Sequence, residues 1–288
     1  MVNTFILLLK TEVPPPMALV ILQIVGHCDG IICLSTHELA ALYNPSKEFN
    51  FLPKSCLLPP PNVAYGYNVG FGYDSKAKDY KVVRIACSIS HSDHPPNRGE
   101  VYTFSSNSWS EIKTNFNTLL YSTPGSGLYF KRVYYWYAFK QELEHHKESI
   151  VSFDMSEELF HHTSLPDHLS VTKGCHNHLV ALKESIALLS HNRCEVAKTF
   201  EVWGMEGFGA GKELCIKYFS VGPLEGIEYP LIFWKSDEFL AGTYDLSAAS
   251  YNVCTQTFNY LPIHGAEEGD LQAVVYVNSI VSVNPRQQ

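Results

Sequence analysis

Residues 69–83 read VGFGYDSKAKDYKVV. An apolar run ends on the aromatic–acid pair Tyr73-Asp74, a short polar segment follows, and a second apolar run opens on Tyr80. The Asp side chain at such a position can bond to the backbone two residues on, which closes a turn. Two strands joined by a short polar turn form a β-hairpin. The stretch therefore predicts a hairpin that carries one aromatic on each strand beside the turn.

The same pattern occurs five times along the chain. The copies are Tyr43-Asn44 to Phe49, Tyr73-Asp74 to Tyr80, Tyr102-Thr103 to Trp109, Phe153-Asp154 to Phe160 and Tyr251-Asn252 to Phe258. Three copies then run into a Leu-Pro pair, at Leu52-Pro53, Leu165-Pro166 and Leu261-Pro262. Repeated hairpins are the building units of β-propellers.

The spacing of the copies predicts a number of blades. Their starts lie 30, 29, 51 and 98 residues apart, and a blade of four strands takes ~40–50 residues. We interpret the last two intervals as one and two blades, and the first two as successive hairpins of one sheet. The prediction is an all-β, β-propeller-like closed ring of antiparallel, kelch-like blades, about six in number.

Composition limits both the fold class and the partners. The chain has 288 residues, of which 45% are apolar and 17% charged, so a sizeable core is expected and long disordered tails are not. No segment shows a helical apolar period over a useful length. The formal net charge is −8 and no Lys/Arg cluster occurs. We therefore expect no nucleic-acid partner, and a basic protein suits this charge best.

Cysteine usage and the first residues indicate a cytoplasmic protein without membrane insertion. The eight Cys include no Cys-x-x-Cys motif and are expected to be reduced core residues. The apolar stretch at 17–25 is too short to span a bilayer, and no basic residue precedes the one at 5–9, so no signal peptide is expected. We assign residues 1–25 to an N-terminal strand or extension and 26–288 to one propeller-like domain.

Several strings, taken in order, resemble plant F-box-associated domains. They are residues 26–34 (GHCDGIICL), 43–49 (YNPSKEF), 70–74 (GFGYD), 78–84 (KDYKVVR), 100–102 (EVY), 107–109 (NSW), 150–154 (IVSFD) and 203–205 (WGM). Residues 221–231 (VGPLEGIEYPL) and 276–283 (YVNSIVSV) are similar to the S-locus F-box branch of that family. The resemblance covers roughly residues 24 to 285.

The resemblance implies a non-catalytic substrate receptor of an SCF-type (Skp1–cullin–F-box) ubiquitin ligase. In the S-locus branch, the C-terminal domain recognises pistil S-ribonucleases in the pollen tube during self-incompatibility. Those ribonucleases are typically basic, which fits the acidic balance of this chain. The family's amino-terminal F-box is a helical segment of about forty residues, and residues 1–25 do not show its pattern. Skp1 and cullin are therefore expected as partners only where an F-box is supplied.

One constellation of residues suggests a metal. Cys175, His178, His191 and Cys194 are spaced as Cys-x-x-His and His-x-x-Cys. A hairpin between them would bring its two ends together, and two thiolates with two imidazoles form a tetrahedral zinc site. The alternative is chance, since 13 His and 8 Cys produce such spacings readily. The family is not known for zinc, and we expect no cofactor and no catalytic residue.

Partner-binding residues are expected on loops at one rim, because rigid scaffolds present binding residues there. The candidate loops are 88–98, 116–127, 141–148 and 206–212. Their charged candidates are Asp93, Arg98, Glu142, Glu144, Glu148 and Glu206. Ordinary solvated loop charge is the alternative for all of them. Two other functions stay open at this point: a kelch-like sugar-binding or enzymatic propeller, and an F-box-like receptor for an unrelated protein target.

Overall fold

The computed structural model describes residues 4–8, 22–36, 39–46, 48–57, 65–88, 96–121, 126–141, 146–166, 169, 175–208, 214–261 and 271–284. Within these ranges the chain forms 23 β-strands and no α-helix. No helix of the described chain therefore has the length and hydrophobicity needed to cross a bilayer. The prediction of an all-β fold is confirmed.

The strands form five antiparallel sheets, which we number in chain order, and one two-stranded sheet. The chain starts with β1 (Thr4–Leu8). The first sheet contains β2 (Gln23–Cys28), β3 (Ile31–Ser35), β4 (Ala40–Asn44) and β5 (Glu48–Phe51). The second contains β6 (Tyr65–Asp74), β7 (Asp79–Ser88), β8 (Arg98–Thr103) and β9 (Ser108–Ile112).

The third sheet contains β10 (Leu119–Leu120), β11 (Gly127–Phe130), β12 (Val133–Gln141), β13 (His146–Asp154) and β14 (Leu159–Ser164). The fourth contains β15 (Cys175–Leu182), β16 (Ser185–Asn192), β17 (Lys198–Glu206) and β18 (Leu214–Leu224). The fifth contains β19 (Ile227–Lys235), β20 (Glu238–Thr243), β21 (Ala248–Asn252) and β22 (Thr257–Leu261). The last strand, β23 (Ala273–Val277), pairs with β1.

The five repeated modules are five hairpin turns, as predicted. In every copy the two aromatics are direct cross-strand partners, with ring centroids between 4.7 and 5.8 Å apart. Such pairs stabilise a sheet beyond the area they bury. In four copies the Asn or Asp Oδ1 accepts the backbone N–H two residues on, which closes the turn. The copy with Thr103 has no such side chain, and there Asp79 of the neighbouring turn accepts the Ser105 N–H.

The predicted blade count is corrected from about six to five. The described residues form five sheets of four or five strands each. The interval from Tyr43 to Tyr73 leads from the last hairpin of the first sheet to the first hairpin of the second, and not along one sheet. The fourth sheet contains no copy of the module, so counting copies could not locate it. The predicted boundary between residues 25 and 26 stays a prediction.

The described residues belong to two compact units. The first three sheets and the segment from Tyr276 onward form unit 1, and the fourth and fifth sheets form unit 2. In unit 1 the strands β2, β6 and β11 contact one another, and the core includes fully buried Phe71, Tyr102 and Phe153. In unit 2 the strands β15 and β19 contact each other beside the buried rings of Phe200 and Phe239.

Charged and polar side chains tie the sheets of unit 1 together. Lys81 Nζ lies 2.7 Å from Asp74 Oδ2 of its own sheet and 2.7 Å from Glu158 Oε1 of the third sheet. Burial is the largest single influence and opposes ionisation of Asp74, but the hydrogen bond from Lys81 and further hydrogen bonds from neighbouring turn residues together outweigh it and lower the Asp74 pKa to about 2. Asn44 Nδ2 donates to the carbonyls of Ser279 and Val281, at 3.1 and 2.7 Å, and holds the C-terminal segment against the first sheet.

Candidate protein-binding groove in the fourth sheet

The groove is built on Gly204 of β17 and Tyr218 of β18. The register between these strands shifts after Val202, so Tyr218 has no direct partner and its ring lies over Gly204. A Cβ added at Gly204 would lie 1.9 Å from Tyr218 Cζ, so only glycine leaves room for the ring. Glycine within a strand often marks such a close approach. The Trp203-Gly204-Met205 string therefore has a local structural role.

Beside this ring the surface opens into a cavity of about 680 Å³, a volume within the range of ligand-binding clefts. It lies where the β15–β16 hairpin turn meets the end of β17 and the middle of β18. Its lining residues are Leu182, Lys183, Glu184, Ser185, Glu206, Gly207, Tyr218 and Phe219. We refer to this cavity as the Tyr218 groove.

The groove combines an aromatic surface with negative charge. The Tyr218 hydroxyl donates to Glu206 Oε1 at 3.3 Å. Burial first, and then the Glu206 carboxylate, raise the pKa of Tyr218, so the phenol stays protonated and remains a donor. Two carboxylates, Glu184 and Glu206, and one ammonium group, Lys183, line the opening. The groove is therefore suited to an apolar group that ends in a positive charge.

An exposed apolar row continues from the groove along β18. Leu214, Ile216 and Tyr218 are 58%, 44% and 38% exposed. Leu214 lies opposite Glu206, and Ile216 lies opposite Gly204, so these side chains share the face that lines the groove. β18 is also the outer strand of the fourth sheet, and no other strand of the described chain pairs with its free edge. At 11 residues it is the longest strand in the described ranges.

The four residues whose spacing suggested zinc do not come together as one ligand set in the described chain. β15 and β16 do bring both ends of the predicted quartet together, because Cys175 pairs with Asn192. His178 and His191, however, lie on one face of the sheet and Cys175 on the other, since faces alternate along a strand. Cys194 lies exposed in the following turn. The described residues contain no group of three or more His, Cys, Asp or Glu that could hold a metal ion.

The face that carries His178 and His191 holds a cluster of three histidines. The ring centroids of His176 and His178 lie 6.0 and 5.5 Å from that of His191, which also contacts Phe200. Burial first, and then the neighbouring imidazoles, lower the pKa of His178 to about 4 and of His191 to about 3. His178 Nε2 and His191 Nδ1 are buried and have no hydrogen-bond partner among the described residues. Both imidazoles are therefore neutral near pH 7.

The predicted partner-binding residues that the structure describes lie in different environments and do not form one surface. Glu148 is not an exposed loop residue: it lies inside β13, is 0% exposed, and accepts a hydrogen bond from the Tyr137 hydroxyl. Arg98 pairs with Glu111 of its own sheet, with Nη2 2.8 Å from Oε1. Of the predicted set, Glu206 lines the Tyr218 groove. Asp93, Glu142 and Glu144 lie outside the described residues.

Comparison with protein families gives one match to nearly the whole chain. The family described as "F-box associated beta propeller domain" matches residues 6–282. Relatives from Arabidopsis thaliana include F-box/kelch-repeat protein At3g23880, which is 27% identical over 91% of this chain and 69% of its own length. F-box protein At3g08750 is 27% identical over 62% of this chain and 46% of its own length. F-box protein CPR1 is 35% identical over 32% of this chain and 24% of its own length.

The chain thus spans about two thirds of the first relative and less than half of the second. Among solved structures, an oligogalacturonate lyase in complex with manganese is similar with a TM-score of 0.49 and 9% identity, over 84% of this chain and 65% of that one. Saccharomyces cerevisiae Sqt1 is similar with a TM-score of 0.35 and 11% identity, over 87% of this chain and 65% of that one. Likeness of this order bears on neither the activity nor the ligand of the present chain.

Proposed function

Because this chain belongs to the F-box associated beta propeller domain family, we propose that it is the substrate-recognition domain of an SCF-type ubiquitin ligase receptor. The family match over residues 6–282 carries this proposal. The relatives above are named F-box proteins. In this role the chain binds a protein target and catalyses no reaction itself. Skp1 and cullin are proposed as partners only of a protein that carries this domain together with an F-box.

The target we propose is a basic protein of the pistil S-ribonuclease class. Residues 221–231 and 276–283 support this choice, because they are similar to the S-locus F-box branch. The net charge of −8 supports it too, since opposite charges speed encounter and favour the correct partner. The role also places the protein in the cytoplasm of the pollen tube.

The Tyr218 groove supports binding of a protein in a further way. Soluble monomeric proteins rarely expose contiguous apolar patches larger than roughly a few hundred Å², and such patches often mark interaction sites. Here three of the nine exposed large hydrophobic residues of the described chain fall on β18, beside a cavity of about 680 Å³. Tyrosine is also enriched at the buried centres of interfaces.

The proposal is tested by capture of ribonucleases on the immobilised full chain. The panel contains pistil S-ribonucleases of several haplotypes, with a pancreatic-type ribonuclease of similar charge as the control. We expect some S-ribonucleases to bind and the control to be washed off at moderate salt, because screening removes non-specific charge attraction first. If the control binds as well as every S-ribonuclease, the proposed target class is wrong.

Two other outcomes would redirect the proposal. Binding on a glycan array without ribonuclease binding would support a sugar-binding propeller instead. Capture of a different basic protein from pollen, identified by mass spectrometry and confirmed with the purified protein, would keep the receptor role and replace the target. A version fused to an F-box should retain Skp1, and the chain alone serves as the control for that measurement.

A further inference from the structure

We propose that the partner docks as an added β-strand on the free edge of β18 and places a Lys or Arg side chain in the Tyr218 groove. This inference rests on the proposed function and deepens it, because it names the kind of segment that the receptor domain takes up. The occupant is an extended segment of a protein, with apolar residues at alternate positions and one basic residue among them.

The backbone of β18 supports strand addition. An outer strand presents a row of peptide groups to solvent, and an extended peptide can pair with that row. β18 has 11 residues, whereas the outer strands β5, β9, β14 and β22 have 4, 5, 6 and 5. A longer edge offers more main-chain hydrogen bonds to an added strand. Natural edges are usually protected by charge, by Pro, by bulges or by being short. β18 has Pro223 near its end and register shifts at Tyr218 and beyond Val221, so the added strand is expected to pair with residues 214–221.

The side chains of β18 do not protect the edge on the groove face. Leu214, Ile216 and Tyr218 all lie on that face and all are well exposed. Its one charged residue, Lys217, lies on the opposite face, where Nζ is 2.6 Å from Glu201 Oε1. An added strand would cover the apolar row with its own alternate side chains, because residues two apart share a face. The row therefore selects a segment with apolar residues at every second position.

The groove selects a positive charge at one of these positions. A Lys or Arg stem can lie on the Tyr218 ring while its head reaches Glu206, whose Oε1 already accepts the Tyr218 hydroxyl. Cations are attracted to the faces of tyrosine rings. With Glu184 on the same rim, carboxylates exceed ammonium groups by two to one. A segment with Asp or Glu at this position would be repelled.

Substitutions on the groove face test the side-chain part of the inference. Ile216→Lys places a charge on the apolar row and Glu206→Lys reverses the charge of the groove, and both residues are exposed, so the fold should be retained. The matched control is Val196→Lys, because Val196 is 78% exposed and lies in the turn after β16. Captured S-ribonuclease should fall about tenfold for both groove variants and stay unchanged for the control.

A second measurement tests strand addition itself and needs no ribonuclease. The probes are synthetic peptides of about ten residues, the upper length of an ordinary strand, with alternating Val and Thr and a central Arg, Ala or Glu. We expect the Arg peptide to bind and the Glu peptide not to bind. Methylation of alternate backbone nitrogens in the Arg peptide should abolish binding for one alternate set and preserve it for the other, because only one set faces β18.

The outcomes separate this inference from the proposed function. If S-ribonuclease binds the unmodified chain and both groove variants equally well, the receptor role stands and the docking mode is wrong. If no ribonuclease binds but the Arg peptide binds in an Ile216-dependent way, the docking mode stands and the target class is wrong. If both methylated peptide sets bind equally, the peptide does not add as a strand and the inference is overturned.

Discussion

Because of the stacked histidines of the fourth sheet, we expect the protein to lose stability in mild acid. Burial lowers the pKa of His178 to about 4 and of His191 to about 3, whereas an unfolded histidine titrates near 6.5. Between these values the unfolded chain binds protons that the folded chain does not bind. The free energy of unfolding therefore falls as pH decreases through this window.

The size of the effect follows from the pKa difference. Below pH 6.5, each histidine lowers the free energy of unfolding by about 1.4 kcal/mol per pH unit. Acidification from pH 7.5 to pH 5.0 therefore removes about 2 kcal/mol per ring. The two rings together account for about 4 kcal/mol, a large part of a typical stability of about 5–15 kcal/mol. Carboxylates contribute below this window, because the Asp74 pKa is lowered to about 2.

Urea denaturation at a series of pH values, followed by tryptophan fluorescence, measures the effect. His191→Phe removes one titrating ring and places a phenyl group beside Phe200, so the loss between pH 7.5 and 5.0 should shrink by about 2 kcal/mol. His178→Met should shrink it by a similar amount. The exposed residue His161, substituted as His161→Asn, serves as the control and should leave the slope as it is. An identical pH dependence for all four proteins would refute the reasoning.

Three further substitutions or reactions probe other parts of the structure. Gly204→Ala should displace the Tyr218 ring, weaken partner capture about tenfold and lower stability by about 1–3 kcal/mol in urea; unchanged capture would show that the ring position is immaterial. Lys81→Met leaves the buried Asp74 carboxylate without its ion-pair partner and should lower the free energy of unfolding by about 3–5 kcal/mol. Adding Asp74→Asn should recover part of that loss. A Lys81→Met protein of unchanged stability would show that the Lys81–Asp74 ion pair does not stabilise the fold. The Cys56 side chain is exposed, but the desolvation of its sulfur and then its hydrogen bond to Glu100 raise the thiol pKa to about 11. A thiol reagent at about pH 8 should therefore modify Cys56 more slowly than the exposed Cys254. Peptide mapping by mass spectrometry measures the two rates.

The fold could be predicted from sequence because its signals are local. An aromatic followed by Asn or Asp, or by Thr103 in one copy, indicates where a strand ends, and in the Asn and Asp copies the side chain itself closes the turn. All five such turns occur where predicted, with their aromatic pairs in register. The number of sheets was harder to predict, because the fourth sheet turns at Leu182–Ser185 and Asn192–Lys198 without the module.

The candidate site depended on information that spacing does not contain. Glu148 and Glu206 look alike as acidic residues beside loops, but one is fully buried under Tyr137 and the other lines the groove. Tyr218 was missed, because its position depends on a register shift between β17 and β18. The signal that could have identified it is Gly204, a glycine in the middle of an apolar strand, where a close neighbour is to be expected.

Strand parity explains why this segment forms a histidine cluster and, among the described residues, no metal-binding group. The zinc hypothesis required residues three apart on a strand to bind one ion, but residues two apart share a face. On that rule His176 and His178 belong together, and the register of β16 adds His191 to them. Three imidazoles then meet with no carboxylate or thiolate among them, and burial keeps His178 and His191 neutral. What looked like a coordination motif therefore makes the fourth sheet, which also carries the Tyr218 groove, sensitive to acid.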